Sequence, residues 1–525
     1  MDFFKRISQQ RMSAIFYMLM AIILIRICAI FIMGPMPQDA YYFFYAQHPS
    51  LSYFDHPPAI AWLIKASTTI FGKNIVAIKL GDSILSALTV LSVYLLARLF
   101  FLKNIAGKAV TLLLSTLMVS VLSLISTPDA PLLFFWTWTL YSLYRAIFEE
   151  RRVYWLYSGV LMGLAFDSKY TAVFLPAGLI LFLLISTKYR HRLFSPWPWL
   201  TIVIMVLVSA PVIIWNYENH FASFAFQGSK RLESVGSFEL NPRFTLGLIG
   251  HQLALLIPVL FIFLLRGVYL SLKDWGQKRV FPEKKKFLLS FFLPIFLTFF
   301  LLSPIYWVKI NWIMPAYISG IILIAASVKE KWIEYQVIFS FIIHLGLLAE
   351  ILFYPFPIKS DDTWVGWRAL WQRTEIYKQK YKADFVFSAD SYKSSATLNL
   401  YSDSFVLGQN VIGEPALHFD YIGTNLSKLK GKCAIFIDSD PTFKNIARGE
   451  PNPAKLKPYF QSVNQLKPII IFRNGKPVRK FLVYLCHLYN PFPLGKNPMS
   501  QIDRKHQLTF IKQKSTSYPY INLKK

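Results

Sequence analysis

The chain has 525 residues, of which 54% are hydrophobic and 16% charged, and its mean hydropathy is +0.41. Average soluble proteins carry about 25% charged residues, so this composition excludes a disordered chain, a collagen-like fibre and an ordinary cytosolic enzyme. Lys plus Arg outnumber Asp plus Glu by 56 to 28, a net charge of +28. A nucleic-acid binder can be that basic but not this apolar, so the excess is expected in cytoplasmic loops and against anionic lipid. The 46 Phe, 28 Tyr and 14 Trp suit a chain lying between lipid and water. Cys28, Cys433 and Cys486 make no disulfide framework and no metal-ligand spacing; Cys433 and Cys486 are the one pair that could bridge.

A spanning helix takes about 20 mostly apolar residues. Eleven stretches qualify in chain order: 12–33, 75–97, 109–127, 130–147, 153–167, 170–187, 195–215, 244–265, 287–304, 310–328 and 333–354. The first exceeds the apolar core of a signal peptide, and no small-residue cleavage site follows it. With the N-terminus and its Lys5, Arg6 and Arg11 on the cytoplasmic side, alternate loops are rich in Lys and Arg and the opposite loops are poor. An odd span count preserves that asymmetry and puts the C-terminus outside. Within the spans, Arg26 must snorkel, pair or face a polar cavity, and Lys79 most simply neutralises Asp82 three residues on.

From about residue 358 the apolar runs shorten to strand length. Strands are predicted at 384–388, at 433–438 and from Ile469 to Phe472, with a helix near Ser391 to Leu400. Asn474-Gly475 is a strong hairpin signal leading into Phe481 to Leu485. The fold class is thus a polytopic α-helical membrane protein with an extracytoplasmic α/β domain. The divisions are 1–357, including a first outer loop at 34–74, then 358–490, and a basic tail without periodicity at 491–525.

The first outer loop is too long for a connector and too aromatic for a solvated one. It carries Asp39, His48, Asp55 and His56, with no Lys or Arg in 34–58. A carboxylate beside a water-poor cavity at this boundary can have a raised pKa and act as a base. The plain alternative is that Asp39 caps a helix beginning at Ala40. Asp129 opens the fourth span on the same side, with Thr127 as its N-cap and Pro128 in its first turn as the equally plain reading. Asp39 and Asp129 together could divide base and substrate-orienting work. A phosphate would need cations on that side, and the candidates are Lys169, Lys230, Arg231, Arg243 and Lys309, with His56 if protonated. Each could instead snorkel to headgroups. His220, His251, Asn311 and Trp312 complete the polar set. Zincin, P-loop, dinucleotide-fold and hydrolase motifs are absent. Asp55 and His56 are compatible with a divalent metal, but no metal site is assigned.

The ordered segments QDAYYFFYAQH (38–48), YFDHPPAIAWLI (53–64), TPDAPLLFFW (127–136), SKYTAVFLPA (168–177), PVIIWN (211–216) and KINWIMPAYI (309–318) resemble the bacterial glycosyltransferase family 39 group. That group is related to protein O-mannosyltransferases and lipid A aminoarabinose transferases and shares the GT-C membrane fold. The resemblance covers about residues 10–355, and more weakly Gly366-Trp367 and the 390–392 segment. It implies inverting transfer of a sugar from a polyprenyl-phosphate donor to a lipid, polysaccharide or protein acceptor at the outer face of a bacterial inner membrane. The family's first-loop acidic pair reads Gln38-Asp39 here, so the residue credited there as base aligns with Gln38, and either Asp39, Asp129 or Asp55 takes over or the activity is altered. Where the aminoarabinose transferases place a phosphate-contacting lysine, this chain has His56, and Lys169 matches the family's lysine at the sixth span. Gln38, Tyr41, Tyr42, Asp55, Asn311 and Trp312 are expected around the substrate cavity. A transporter or flippase of lipid-linked sugar is the rival class. Transporters place polar groups near the midplane and often show repeats, whereas here the polar residues gather at one surface without a repeat.

Overall fold

A computed structural model describes residues 2–228, 240–277, 281–441 and 454–492, with side chains from Ser13 onward. Lys230, Arg231 and the predicted tail from 493 lie outside the described residues. Each of the eleven apolar stretches is helical. The chain runs through α1 (Asp2–Ile32), α2 (Pro37–Gln47), α3 (Ala59–Phe71), α4 (Ile75–Phe100), α5 (Lys103–Leu114), α6 (Leu117–Leu124), α7 (Asp129–Phe148), α8 (Val153–Phe166) and α9 (Phe174–Ile185). It continues through α10 (Pro196–Val208), α11 (Ala210–Glu218), α12 (Ala222–Gln227), α13 (Pro242–Leu256), α14 (Pro258–Gln277), α15 (Glu283–Leu302), α16 (Met314–Ile324) and α17 (Glu330–Phe353). Among the described residues, four helices are long and apolar enough to cross a membrane alone, and three bent pairs bring the number to seven. The main apolar core lies among α4, α5, α7, α8, α9, α15 and α16.

Three predicted spans are broken, at 109–127, 195–215 and 244–265, and in the first and last a buried long side chain takes up the freed backbone groups, which lipid cannot do. At the 62° bend between α5 and α6, Arg26 donates to the carbonyls of Leu114 and Thr116 at 2.8 and 2.9 Å and to Ser120 Oγ at 2.9 Å. A cation at the carbonyl end of a helix is also favoured by the helix dipole. Arg26 therefore pairs rather than snorkels. The stretch expected as one span at 244–265 turns through 110° between α13 and α14. Pro258 has no N–H to continue the helix and disfavours helical geometry in the residue before it; Ile257 accordingly leaves the helix at ψ 140°, its φ of 68° being a separate, strained feature of the turn. Gln336 of α17 spans the gap, donating to Leu256 O at 2.9 Å and accepting the Leu260 N–H at 3.0 Å.

The C-terminal region holds α18 (Trp367–Lys380), β1 (Phe385–Ser388), α19 (Lys393–Tyr401), β2 (Val406–Leu407), β3 (Ala434–Ser439), β4 (Phe460–Gln465), β5 (Ile469–Arg473) and β6 (Lys476–Tyr489). The sheet order is β2-β1-β3-β6-β4, with β5 also pairing β6; β1 lies parallel to β2 and β3, and the pairings of β6 are antiparallel. The predicted hairpin is present, Asn474 and Gly475 both taking positive φ (52° and 74°), as a type I′ turn requires. That hairpin seals the end of α17. Arg473 donates to the carbonyls of Ile351 and Leu352 at 3.0 and 2.7 Å, and Asn474 Nδ2 to that of Phe353 at 3.0 Å, satisfying carbonyls that a helix end leaves open. Gly366, at φ 89°, turns the chain into α18. Cys433 and Cys486 are both free. The register sets Ala434 opposite Cys486, so adjacent Cys433 projects from the other face of the sheet, where its Sγ lies 3.4 Å from His487 Nδ1.

Replacing Gln336 by Leu is expected to cost about 1–3 kcal/mol per buried group left unpaired. A clearly lowered melting temperature in detergent would show this; an unchanged one would mean the break is satisfied otherwise.

Candidate functional site

α2 lies at the sheet-proximal end of the helical bundle. Pro37 starts it, and Asp39 in its first turn accepts the Met36 N–H at 2.8 Å, the carboxylate half of a capping box. The helix thus begins three residues before the expected Ala40, and the cap is reached from inside. Asp39 does more than cap. Fully buried, it forms an ion pair with Lys79 of α4 at 3.2 Å and accepts the Ser126 N–H at 2.7 Å. Lys79 also donates to Gly34 O at 3.0 Å. The expected Lys79–Asp82 pair is therefore replaced by Lys79–Asp39, because the loop carboxylate folds down onto α4. With both oxygens of Asp39 taken up, the expectation that it serves as base gives way to a structural role: it fixes Ser126, three residues before Asp129.

Asp129 opens α7, and Thr127 caps nothing: its Oγ1 is buried without a hydrogen-bond partner. Instead of serving the helix start, the Asp129 carboxylate reaches across the bundle. Lys169 Nζ lies 2.7 Å from Oδ1, and Asn311 Nδ2 donates to Oδ2 at 2.6 Å. Asp129 and Lys169 are 1% and 6% exposed. Three residues singled out in three separate motifs thus meet at one point.

Lys169 lines a cavity of about 330 Å³ together with His56, Gln227 and Trp312, while Val173, Phe174, Phe299, Leu302 and Tyr306 supply apolar wall. Trp312 lies parallel to Tyr306 at 5.8 Å between ring centroids and tilted against Phe299 at 5.2 Å. The cavity therefore has a polar end and a greasy side. Gln227 ties it to the 34–74 segment by donating to the main-chain carbonyl of Asp55.

The Asp55 carboxylate is nearly enclosed, at 8% exposure. Tyr41 donates to Oδ1 at 2.8 Å and Tyr45, one turn on, donates to the same oxygen. Burial pushes the Asp55 pKa above the ordinary carboxylate range, and the Tyr45 and Tyr41 hydroxyls, with the charge of Lys309, pull partly against it. Burial and the charge of Asp55 hold both phenols well above their ordinary values, so they stay protonated donors. Tyr42, also buried, senses Asp55, Asp129 and Asp82, and its ring stands edge-on to His56 at 5.8 Å. Gln38 points elsewhere: its amide donates to Asp362 Oδ1 at 3.0 Å, and Lys393 pairs with the other oxygen of Asp362 at 2.9 Å. Arg231 lies outside the described residues. Among those described, no group of three or more His, Cys, Asp or Glu side chains stands close enough to share a metal ion.

Sequence reasoning passed over Tyr45, Gln227, Tyr392 and His418. Tyr45 carried a usable signal, since it lies four residues from Tyr41 and so on the same helical face. His418 reaches Tyr41 from 377 residues away, and no local pattern announces such a contact.

Residues 55–215 match a family model described as dolichyl-phosphate-mannose-protein mannosyltransferase. The chain is 26% identical over 297 residues to the lipid A galacturonosyltransferase RgtD of Rhizobium johnstonii, covering 56% of this chain and 60% of that one. It is 27% identical over 288 residues to an uncharacterized protein of Aquifex aeolicus, covering 52% and 53%. The chain thus spans somewhat over half the length of both relatives. The crystal structure of ArnT from Cupriavidus metallidurans bound to undecaprenyl phosphate superposes with a TM-score of 0.59 at 14% identity, over 90% of this chain and 98% of that one. That likeness shows the fold to be the GT-C arrangement, and the resemblance carried by the six segments is borne out.

Asp39→Asn should leave Lys79 buried without its counter-ion and cost about 3–5 kcal/mol. Adding Lys79→Met should recover much of the loss. Thermal denaturation of the two variants beside the wild type checks this; a stable single variant would rule out the structural role.

Proposed function

We propose that the protein is an integral-membrane glycosyltransferase that moves a sugar from a polyprenyl-phosphate donor to a hydroxyl of an acceptor at the outer membrane face, inverting the anomeric centre. The observation that carries this reading is the cavity with Lys169 and His56 at its polar end and aromatic and aliphatic wall beside them. A phosphate headgroup with an isoprenoid tail needs that combination. The membrane topology belongs to the same reading: eleven crossings, the N-terminus cytoplasmic, and the sheet region outside, where it would help select the acceptor.

Asp55 is the general base, and burial gives its carboxylate the proton affinity the task needs. It takes the acceptor hydroxyl proton as the acceptor oxygen bonds to the anomeric carbon and the bond from that carbon to the phosphate oxygen breaks. The electron pair leaves with polyprenyl phosphate, which needs little protonation because its second pKa is about 6. Lys169 stabilises the growing phosphate charge in a water-poor pocket. Asp129 and Asn311 hold that lysine's surroundings in place. His56 and Lys309 stand as further phosphate contacts, Trp312 lines the cavity, and of the tyrosines expected there Tyr42 only backs His56 from outside the wall while Tyr41 is turned to Asp55. The names of the relatives point to two acceptor classes, lipid A and protein; net positive charge on the sheet region favours an anionic glycolipid.

Labelled polyprenyl-phosphate sugars offered to membranes, with mass spectrometry of the envelope glycoconjugates, test the reaction. Asp55→Asn is expected to lower transfer about 10²–10⁴-fold while purified protein still binds undecaprenyl phosphate; Lys169→Ala should weaken that binding. Undiminished transfer by Asp55→Asn would remove the base assignment, and binding of the lipid without any transfer by the wild type would favour the flippase.

A base works only when deprotonated, so the rate should fall as pH drops through the Asp55 pKa. Because that pKa is raised, the fall should begin above the pH at which an ordinary carboxylate, near about 3.9, would lose its charge. A pH–rate profile lacking this acid limb would contradict the assignment.

A further inference from the structure

α2 is where the helical bundle meets the sheet region. The Tyr41 ring stacks on Tyr392, the residue before α19, with 4.2 Å between centroids. Its hydroxyl donates to Asp55 Oδ1 at 2.8 Å and accepts the main-chain N–H of His418 at 3.3 Å. Tyr45, whose hydroxyl lies 3.2 Å from that of Tyr41, packs edge-on against the His418 imidazole at 4.9 Å. His418 sits in a short 3-10 turn, Leu417–Asp420, braced by the Ala416 N–H donating to Asp420 Oδ2 at 2.7 Å. Tyr41, Tyr45 and His418 are all buried.

A phenol has one proton to give and lone pairs to receive with. When the His418 N–H fills a lone pair of Tyr41, the Tyr41 proton is left for Asp55, and bonds in such a chain strengthen one another. We infer that the sheet region positions the proposed base: the His418 N–H and the Tyr41 hydroxyl form a two-step relay that aims Asp55, and the Tyr392 ring clamps the relay's middle member. The inference rests on Asp55 being the base. Tyr41 and Tyr392 are positioning residues within it, and the sheet region becomes part of the reaction centre rather than only a reader of acceptors. The groups whose charges and hydroxyls bear on Asp55 are Tyr41, Tyr42 and Tyr45 of α2, Lys309 before α16, Tyr170 before α9, and Tyr392 and His418 from the sheet region.

The test uses the full chain, purified in detergent, and infrared titration of the protonated-carboxyl band that disappears in Asp55→Asn. A hydrogen bond to the charged form favours that form, so Tyr41→Phe should move the midpoint up by about one pH unit. It should also slow sugar transfer about tenfold with undecaprenyl phosphate binding unchanged. Tyr392→Ala should shift the midpoint in the same direction, and Tyr392→Phe should restore it, because the ring rather than the hydroxyl is the clamp. Unmoved midpoints in both Tyr41→Phe and Tyr392→Ala would overturn the relay. If Tyr41→Phe fails to fold, the Tyr392 pair decides alone. A shifted midpoint with undiminished transfer would show the hydrogen-bond chain but remove Asp55 from the chemistry, overturning the sheet region's role in positioning a base. Absence of a titrating band in the wild type removes the base assignment and this inference with it.

Discussion

The ion pair between Asp39 and Lys79 is the constraint on which the site depends. It lies out of contact with solvent, where separating the partners would strand a charge in a medium that cannot solvate it. Through it the 34–74 segment is fastened to α4, and through the Ser126 N–H the same carboxylate holds the entry to α7. Once these are set, Asp129 can meet Lys169 and Asn311, and α2 presents Tyr41 and Tyr45 to Asp55. One acid therefore orders two others without taking part in the chemistry proposed for them.

The membrane part obeys the same economy. A helix break frees backbone groups that lipid cannot satisfy, and at two of the three bends the chain answers with a single long polar side chain from another helix, Arg26 at the 62° bend and Gln336 at the 110° bend. These residues look out of place in an apolar sequence. Their positions become sensible only beside the carbonyls and amides they serve.

How much the sequence disclosed follows from the range of the forces involved. Apolar runs of helical length located the helices of the bundle, because that signal is local and averaged over many residues. The hairpin at Asn474-Gly475 was equally legible, since positive φ at both positions is a property of two adjacent residues. The short β2 and β4 and the polar helix α18 were not, as their stability comes from neighbours distant in the chain. At the site, motif order brought Asp129, Lys169 and Asn311 into one list, and the structure brings them into contact. The pairing of Asp39 escaped for a plain reason: Lys79 has an acid three residues away on its own helix, and helical spacing favours that partner until the loop folds over it. The reach of His418 to Tyr41 had no local trace at all.

The amide at position 38 carries a consequence for how the site can change. Gln38 is bound to Asp362, which is in turn paired with Lys393, so two distant parts of the chain share one small network. An acid placed at 38 would face a carboxylate at hydrogen-bond range, and the repulsion would fall on the seam between bundle and sheet. Positions 38 and 362 are therefore coupled: a carboxylate at 38 fits this packing only where 362 is made neutral, so the two substitutions would not add independently.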